Sequence, residues 1–123
     1  MEEIARLDHV YQYNELMGIE TLHPLVSVID MSKCPRMRHS RRLYGFYCIF
    51  LKDVKCGDLR YGRNYYDYQE GTLVFTAPGQ VVGVEDNGEV FQPKGWALLF
   101  HPDLIRGTSL GRNIDRYTFF SSL

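Results

Sequence analysis

The chain has 123 residues, 45% of them hydrophobic, with a formal net charge of −1. That is one domain's worth of chain, residues 1–123, able to bury a core without disulfide staples. It excludes an unbroken apolar span of about 18 residues and a whole-chain field that would draw in nucleic acid or an anionic membrane.

The start, Met1-Glu2-Glu3-Ile4, lacks the basic and then apolar regions of a signal peptide. From Glu2 to Met17 the apolar residues Ile4, Leu7, Val10, Tyr11 and Met17 fall near helical spacing, and Gly18 follows as a C′ residue. This predicts one short N-terminal helix. Beyond it, short apolar runs alternate with turn residues, as in a sandwich or barrel. The runs are 25–31, 43–52, 58–61, 65–68, 72–76, 81–85, 89–91, 96–100 and 117–120. Nine Tyr and seven Phe fit strands as well. Asn87-Gly88, flanked by Val84 and Val90, predicts a hairpin with a type I′ turn. Asp103 is placed to cap a short helix over Leu104, Ile105 and Leu110 that Gly111 ends.

Two runs, Tyr44–Leu51 and Trp96–Phe100, are apolar on both alternating faces. Such strands are covered on both sides, or line an interior on one side and pack outward on the other. The expectation is an all-β jelly roll with minor helix. Its interior is either filled by side chains or holds a ligand. Tyr61–Gln69 is rich in tyrosine, and Tyr66 and Tyr68 share a face by the period of two. Aromatic bodies with polar tips suit a small-molecule pocket. Tyr47, Tyr66, Tyr68 and the single tryptophan, Trp96, are the predicted lining. Plain strand packing and core filling are the competing account of the same rings.

Catalytic and metal chemistry finds little support. The four histidines, His9, His23, His39 and His101, form no H-x-H, H-E-x-x-H or H-x₃-H pair, so no metal or other cofactor is expected. No G-x-S-x-G elbow, phosphate loop or dinucleotide fingerprint occurs, and Gly57–Gly62 reads as a turn. Cys34, Cys48 and Cys56 are odd in number without a C-x-x-C, which suits free thiols in a reducing, cytoplasmic compartment. Cys48, inside an apolar run, reads as a core residue. In Lys33–Arg42, five of ten residues are Lys or Arg. A phosphate or DNA contact is one account of that run. A solvated loop whose charge protects a strand edge is the favoured one. Docking against a partner domain is a third.

Glu70-Gly71-Thr72-Leu73-Val74-Phe75-Thr76-Ala77-Pro78-Gly79-Gln80-Val81 resembles the second conserved motif of cupins, in the variant found in AraC-type sensor domains. There a Gly-Thr or Gly-Asp turn leads a strand into Pro-Gly-Gln or Pro-Gly-Glu. Pro93 to Gly111, followed by Tyr117-Thr118-Phe119-Phe120, is similar to the stretch of AraC-type regulators that ends a cupin strand and makes a short helix. His23-Pro24-Leu25-Val26-Ser27-Val28 looks like the family's first strand. The resemblance implies a cupin-like jelly-roll barrel with a short helix at the N-terminus and another near the C-terminus. It implies a regulatory domain that binds a small-molecule effector, with homodimerisation left open and DNA contacted only through a C-terminal domain that this chain lacks. Two departures qualify it. Val81 and Val82 stand where metal-binding cupins carry a histidine, and the chain ends at Leu123, where the family is expected to continue into helix-turn-helix units. A small cupin enzyme (an isomerase or dioxygenase), and a dimerisation or docking module without a ligand, are the alternatives.

Overall fold

A computed structural model describes residues 4–52, 71–117 and 120, together with the backbone of 65–68. Strand β1 (Ala5–Leu7) precedes helix α1 (Val10–Leu16). Then come β2 (Val26–Asp30), a 3₁₀ turn (Met31–Lys33), β3 (Met37–Arg38), β4 (Arg41–Tyr44) and β5 (Tyr47–Lys52). The second half holds β6 (Tyr65–Tyr68), β7 (Gly71–Thr76), β8 (Val81–Gly83), β9 (Val90–Phe91) and β10 (Trp96–Phe100). Helices α2 (Pro102–Ile105) and α3 (Ser109–Asn113) and a 3₁₀ turn (Ile114–Arg116) follow. The fold is β-rich with few short helices. No helix among the described residues is long and apolar enough to cross a membrane.

Three sheets carry the structure: a five-stranded antiparallel one ordered β2-β10-β5-β7-β6, a three-stranded one ordered β1-β4-β8, and the β3-β9 pair. Among the described residues they do not close into a single barrel. The main core lies where Leu7, Tyr44 and Val82 of the three-stranded sheet meet Ile29, Ala97, Leu99, Cys48 and Phe50 of the five-stranded one. Helix α1 adds Val10 and Tyr13 to it, and its C-cap adds Met17. Each large side chain removed from water here contributes roughly 1.5–3 kcal/mol. The opposite face of the five-stranded sheet carries a second cluster. There Tyr47 and Phe100 pack with Ile105 and Ile114 of the C-terminal segment, and Val26, Ile49 and Leu98 border them.

The run Tyr44–Leu51 is apolar on both faces because it serves two sheets. Tyr44 belongs to the three-stranded sheet and Tyr47 to the five-stranded one. The chain crosses between them at Gly45 and the fully buried Phe46. Gly45 donates its N–H to the Leu7 carbonyl at 2.8 Å, and a Cβ there would come within 3.0 Å of the Asp8 backbone.

Several expectations are corrected. The helix expected over Glu2–Met17 covers only its second half. Ala5–Leu7 instead pairs in parallel with Arg42–Tyr44. Gln12 Oε1 accepts the N–H groups of Asp8 and His9 and fixes the helix start between the two elements. Gly18, at φ +70°, ends the helix as expected. Asn87-Gly88 turns the chain without making a hairpin. Among the described residues no side-chain-bearing residue has positive φ, so Asn87 does not meet the type I′ requirement. β8 pairs with β4 and β9 with β3, so the two flanking strands part. Near the C-terminus His101 Nδ1, not Asp103, accepts the capping N–H of α2. Thr108 caps a separate α3, which runs through Gly111. The run expected at 58–61, the turn 57–62 and Cys56 lie outside the described residues, as do 118–119 of the last run. At that run's end Phe120 donates its N–H to Tyr117 at 3.0 Å, as in a turn.

Candidate functional site

Between the two larger sheets lies a cavity of about 380 Å³, at the small end of the roughly 300–1,000 Å³ typical of ligand pockets. Buried Tyr13 of α1, Met17 at its C-cap, Tyr44 of β4 and Val74 of β7 form its floor. Phe50, Val82, Phe91, Met31 and Met37 make its walls. Of the four methionines in the sequence, three line this one space. Thioether side chains are unbranched and polarisable, and they adjust to irregular apolar shapes. Gly83 lines the cavity, and Gly95 stands between the lining residues Lys94 and Trp96. Gly83, at φ +98°, packs so closely that a Cβ would fall 2.2 Å from the Ser40 carbonyl oxygen. A Cβ on Gly95, at φ +92°, would fall 2.0 Å from that of Leu51.

The basic run at 33–42 divides at this cavity. Arg38, exposed and also among the lining residues, has its Nε 3.1 Å and its Nη2 2.9 Å from the Asp86 carboxylate. A bond from the Gly88 N–H, then the Arg38 guanidinium, hold that carboxyl below its ordinary value. Arg41 Nη2 lies 3.8 Å from Glu85 Oε1. Arg42, the next residue of β4, points the other way by strand alternation and lines the cavity. Arg42 and Tyr44, two residues apart on β4, share that face, and both line the cavity. Burial raises the Tyr44 phenol above its ordinary value and raises that of Tyr13 well above it, against the opposing pull of Arg42. Both phenols therefore keep their protons at neutral pH. With Arg38 and Arg42, Lys52 and exposed Lys94 make four Lys or Arg side chains in the lining, and no carboxylate lines it among the described residues. His39 stacks on Phe91 at the rim, with centroids 4.3 Å apart.

The predicted lining residues fall differently. Trp96 borders the cavity. It alternates with buried Ala97, however, so it shares the outer sheet face with Leu98 and Phe100 and is 49% exposed. Val28, 66% exposed, and Leu51 are apolar neighbours on that face. Tyr47 lies away from the cavity, 7% exposed in the outer cluster. The expectation of an interior Tyr47 is corrected by register. Cys48 and Phe50 face the other sheet, which turns Tyr47 outward. Tyr66 is registered against Leu73 and Tyr68 against Gly71, and their side chains lie outside the described residues. Tyr13, Arg42, Phe50 and the three methionines are the residues that sequence reasoning missed. The one available signal was Arg42's place in the basic run.

The histidines serve locally. His23 Nδ1 accepts the Leu25 N–H at 3.0 Å, and the rings of His9 and His101 stack 5.8 Å apart. Among the described residues no three His, Cys, Asp or Glu side chains come together as a metal ion would require. Comparison with family models, curated proteins and solved structures finds no match to this chain.

Proposed function

We propose that the chain is the ligand-sensing domain of an AraC-type transcription regulator, a cytoplasmic cupin-like jelly roll whose cavity holds a small-molecule effector. The observation that carries this reading is the methionine-walled cavity between two sheets, entered past a few polar and charged side chains. The motif behind the family resemblance lies beside it. β7 runs into a Pro78-Gly79 turn with Gly79 at φ +87°, and β8 then contributes Val82 to the wall. An effector held more tightly in one of two states shifts the equilibrium of a DNA-binding half outside this chain. DNA contacts belong to that half. Arg38 and Arg41 are already paired with Asp86 and Glu85, which leaves the basic run fewer charges for phosphates.

A thermal-shift screen of sugars, metabolites, and aromatic and aliphatic acids tests the reading. A true effector at about 100 times its Kd stabilises the fold by about 2.7 kcal/mol. A domain that no compound stabilises would leave the sensor reading without its ligand.

A further inference from the structure

Arg42 has an unusual position among its neighbours. Arg38 and Arg41 each find a carboxylate, whereas Arg42 is only partly exposed and lines the cavity beside Tyr44, with no carboxylate partner among the described residues. A guanidinium drawn out of bulk water favours an anion that can fill its planar fork of donors. Tyr44, on the same face of β4, adds a hydroxyl to the lining, and the ring of Tyr13 stands edge-on to its ring, 5.6 Å away. The remaining wall offers little hydrogen bonding. Met17, Met31, Met37, Phe50 and Val82 present carbon and sulfur to the space. A sugar placed there would leave hydroxyls unpaired against apolar side chains, at about 1–3 kcal/mol each. A cationic ligand would meet Arg42 and Lys94, with no carboxylate among the described residues of the lining.

We infer that the effector is an apolar acid, its hydrocarbon body seated among the three methionines and Phe50 and its carboxylate held by Arg42 and the Tyr44 hydroxyl. This inference rests on the sensor reading and names the chemical class of its ligand. Aliphatic and aromatic monocarboxylates share this chemistry.

Isothermal titration of the intact domain with decanoate and 4-phenylbutanoate, each beside its neutral alcohol and its primary amine, separates the possibilities. At least one acid is expected to bind about tenfold or more tighter than its alcohol, since one charge-assisted hydrogen bond is worth about 1.5–3 kcal/mol. The amines are expected to be weaker still. The tighter of the two acids identifies an alkyl or an aryl body. Arg42→Gln, shown by circular dichroism to be folded, should bring acid and alcohol to equal affinity. Should that variant fail to fold, Lys94→Ala at the exposed rim and the salt dependence of the wild-type acid-to-alcohol ratio decide instead. A ratio that falls as salt rises supports the inference, and one that ignores both changes overturns it. Alcohols binding as tightly as acids would overturn the carboxylate assignment while leaving a ligand-binding domain. Binding of sugars alone would do the same. A domain that binds none of these compounds would overturn both the inference and the reading beneath it.

Discussion

The rings of Tyr47 and Phe100, opposed in register across β5 and β10, stack with centroids 5.0 Å apart and planes inclined by 16°. Phe120 meets Tyr47 edge-on at 5.3 Å. This cluster sits on the sheet face opposite the core and holds the C-terminal helices down. Tyr47→Leu is therefore expected to lower stability by about 1–3 kcal/mol. Because cavity and cluster lie on different faces, its effect on ligand Kd should stay within about twofold. Urea unfolding and titration of the same variant check both halves. Unchanged stability with a large loss of affinity would return Tyr47 to the binding site.

Asn14 ties helix α1 to the sheet. It is 1% exposed, its Nδ2 donates to Thr21 Oγ1 at 3.1 Å, and its Oδ1 accepts from Ser27 Oγ at 2.8 Å. Asn14→Ala leaves these partners unmatched, at an expected cost of about 1–3 kcal/mol. At about 4–8 °C per kcal/mol for a domain near this size, thermal melting resolves the loss. A wild-type Tm would show that the helix is anchored by its apolar face alone.

Gly95 combines φ +92° with a Cβ position only 2.0 Å from the Leu51 carbonyl oxygen. Its own carbonyl accepts the Met31 N–H at 2.8 Å. Gly95→Ala asks for both a left-handed backbone and a shifted neighbouring strand, so more than about 1–2 kcal/mol of stability should be lost. Chemical denaturation measures it. A neutral substitution would mean that the β5–β10 junction is looser than its geometry indicates.

Stability should fall in alkali. Burial is the main cause that pushes the Cys48 thiol from 9.0 up to about 12, and it raises the Tyr13 and Tyr44 phenols as well. In the unfolded chain these groups ionise at their ordinary values. Between about pH 9 and pH 12 the unfolded state therefore releases protons that the folded state keeps. Their contribution is whole below about pH 9 and is lost as pH rises through that window. The urea midpoint should hold from neutral pH to about pH 9 and drop beyond it, less steeply in Cys48→Ala. A midpoint that holds or rises across the window contradicts the burial of these groups.

How far the sequence announced this molecule depends on what each residue's neighbours had to decide. Val26–Asp30, Tyr65–Tyr68 and Trp96–Phe100 were legible as strands because β-branched and aromatic residues between turn residues suit no other element as well. Gly18 was legible as a helix stop because few other residues take positive φ there. The period of two grouped Tyr47 with Ile49 and Leu51, but it cannot tell which face of a strand meets a second sheet. That was decided by the crossing at Gly45–Phe46, which depends on a contact with Leu7 and Asp8 far away in sequence. The cavity was hidden for the same reason. Met17, Met31, Met37 and Phe50 look like ordinary core residues until the two sheets leave a space between them. Arg42 differs from Arg41 by strand parity: Arg41 lies near Glu85, whereas no carboxylate among the described residues lines the cavity that Arg42 faces.

The most direct test of the central claim is NMR of the domain labelled with ¹³C at its methionine methyl groups, titrated with decanoate and with any compound that stabilises the fold. A ligand held between the sheets should shift the methyl signals of Met17, Met31 and Met37 together, saturating at one Kd, while the ¹³C-methyl signal of a Val28→Met variant on the outer face stays in place. Stabilisation that leaves the three interior methyls unmoved, or that moves the Val28→Met signal instead, would contradict a ligand site between the sheets.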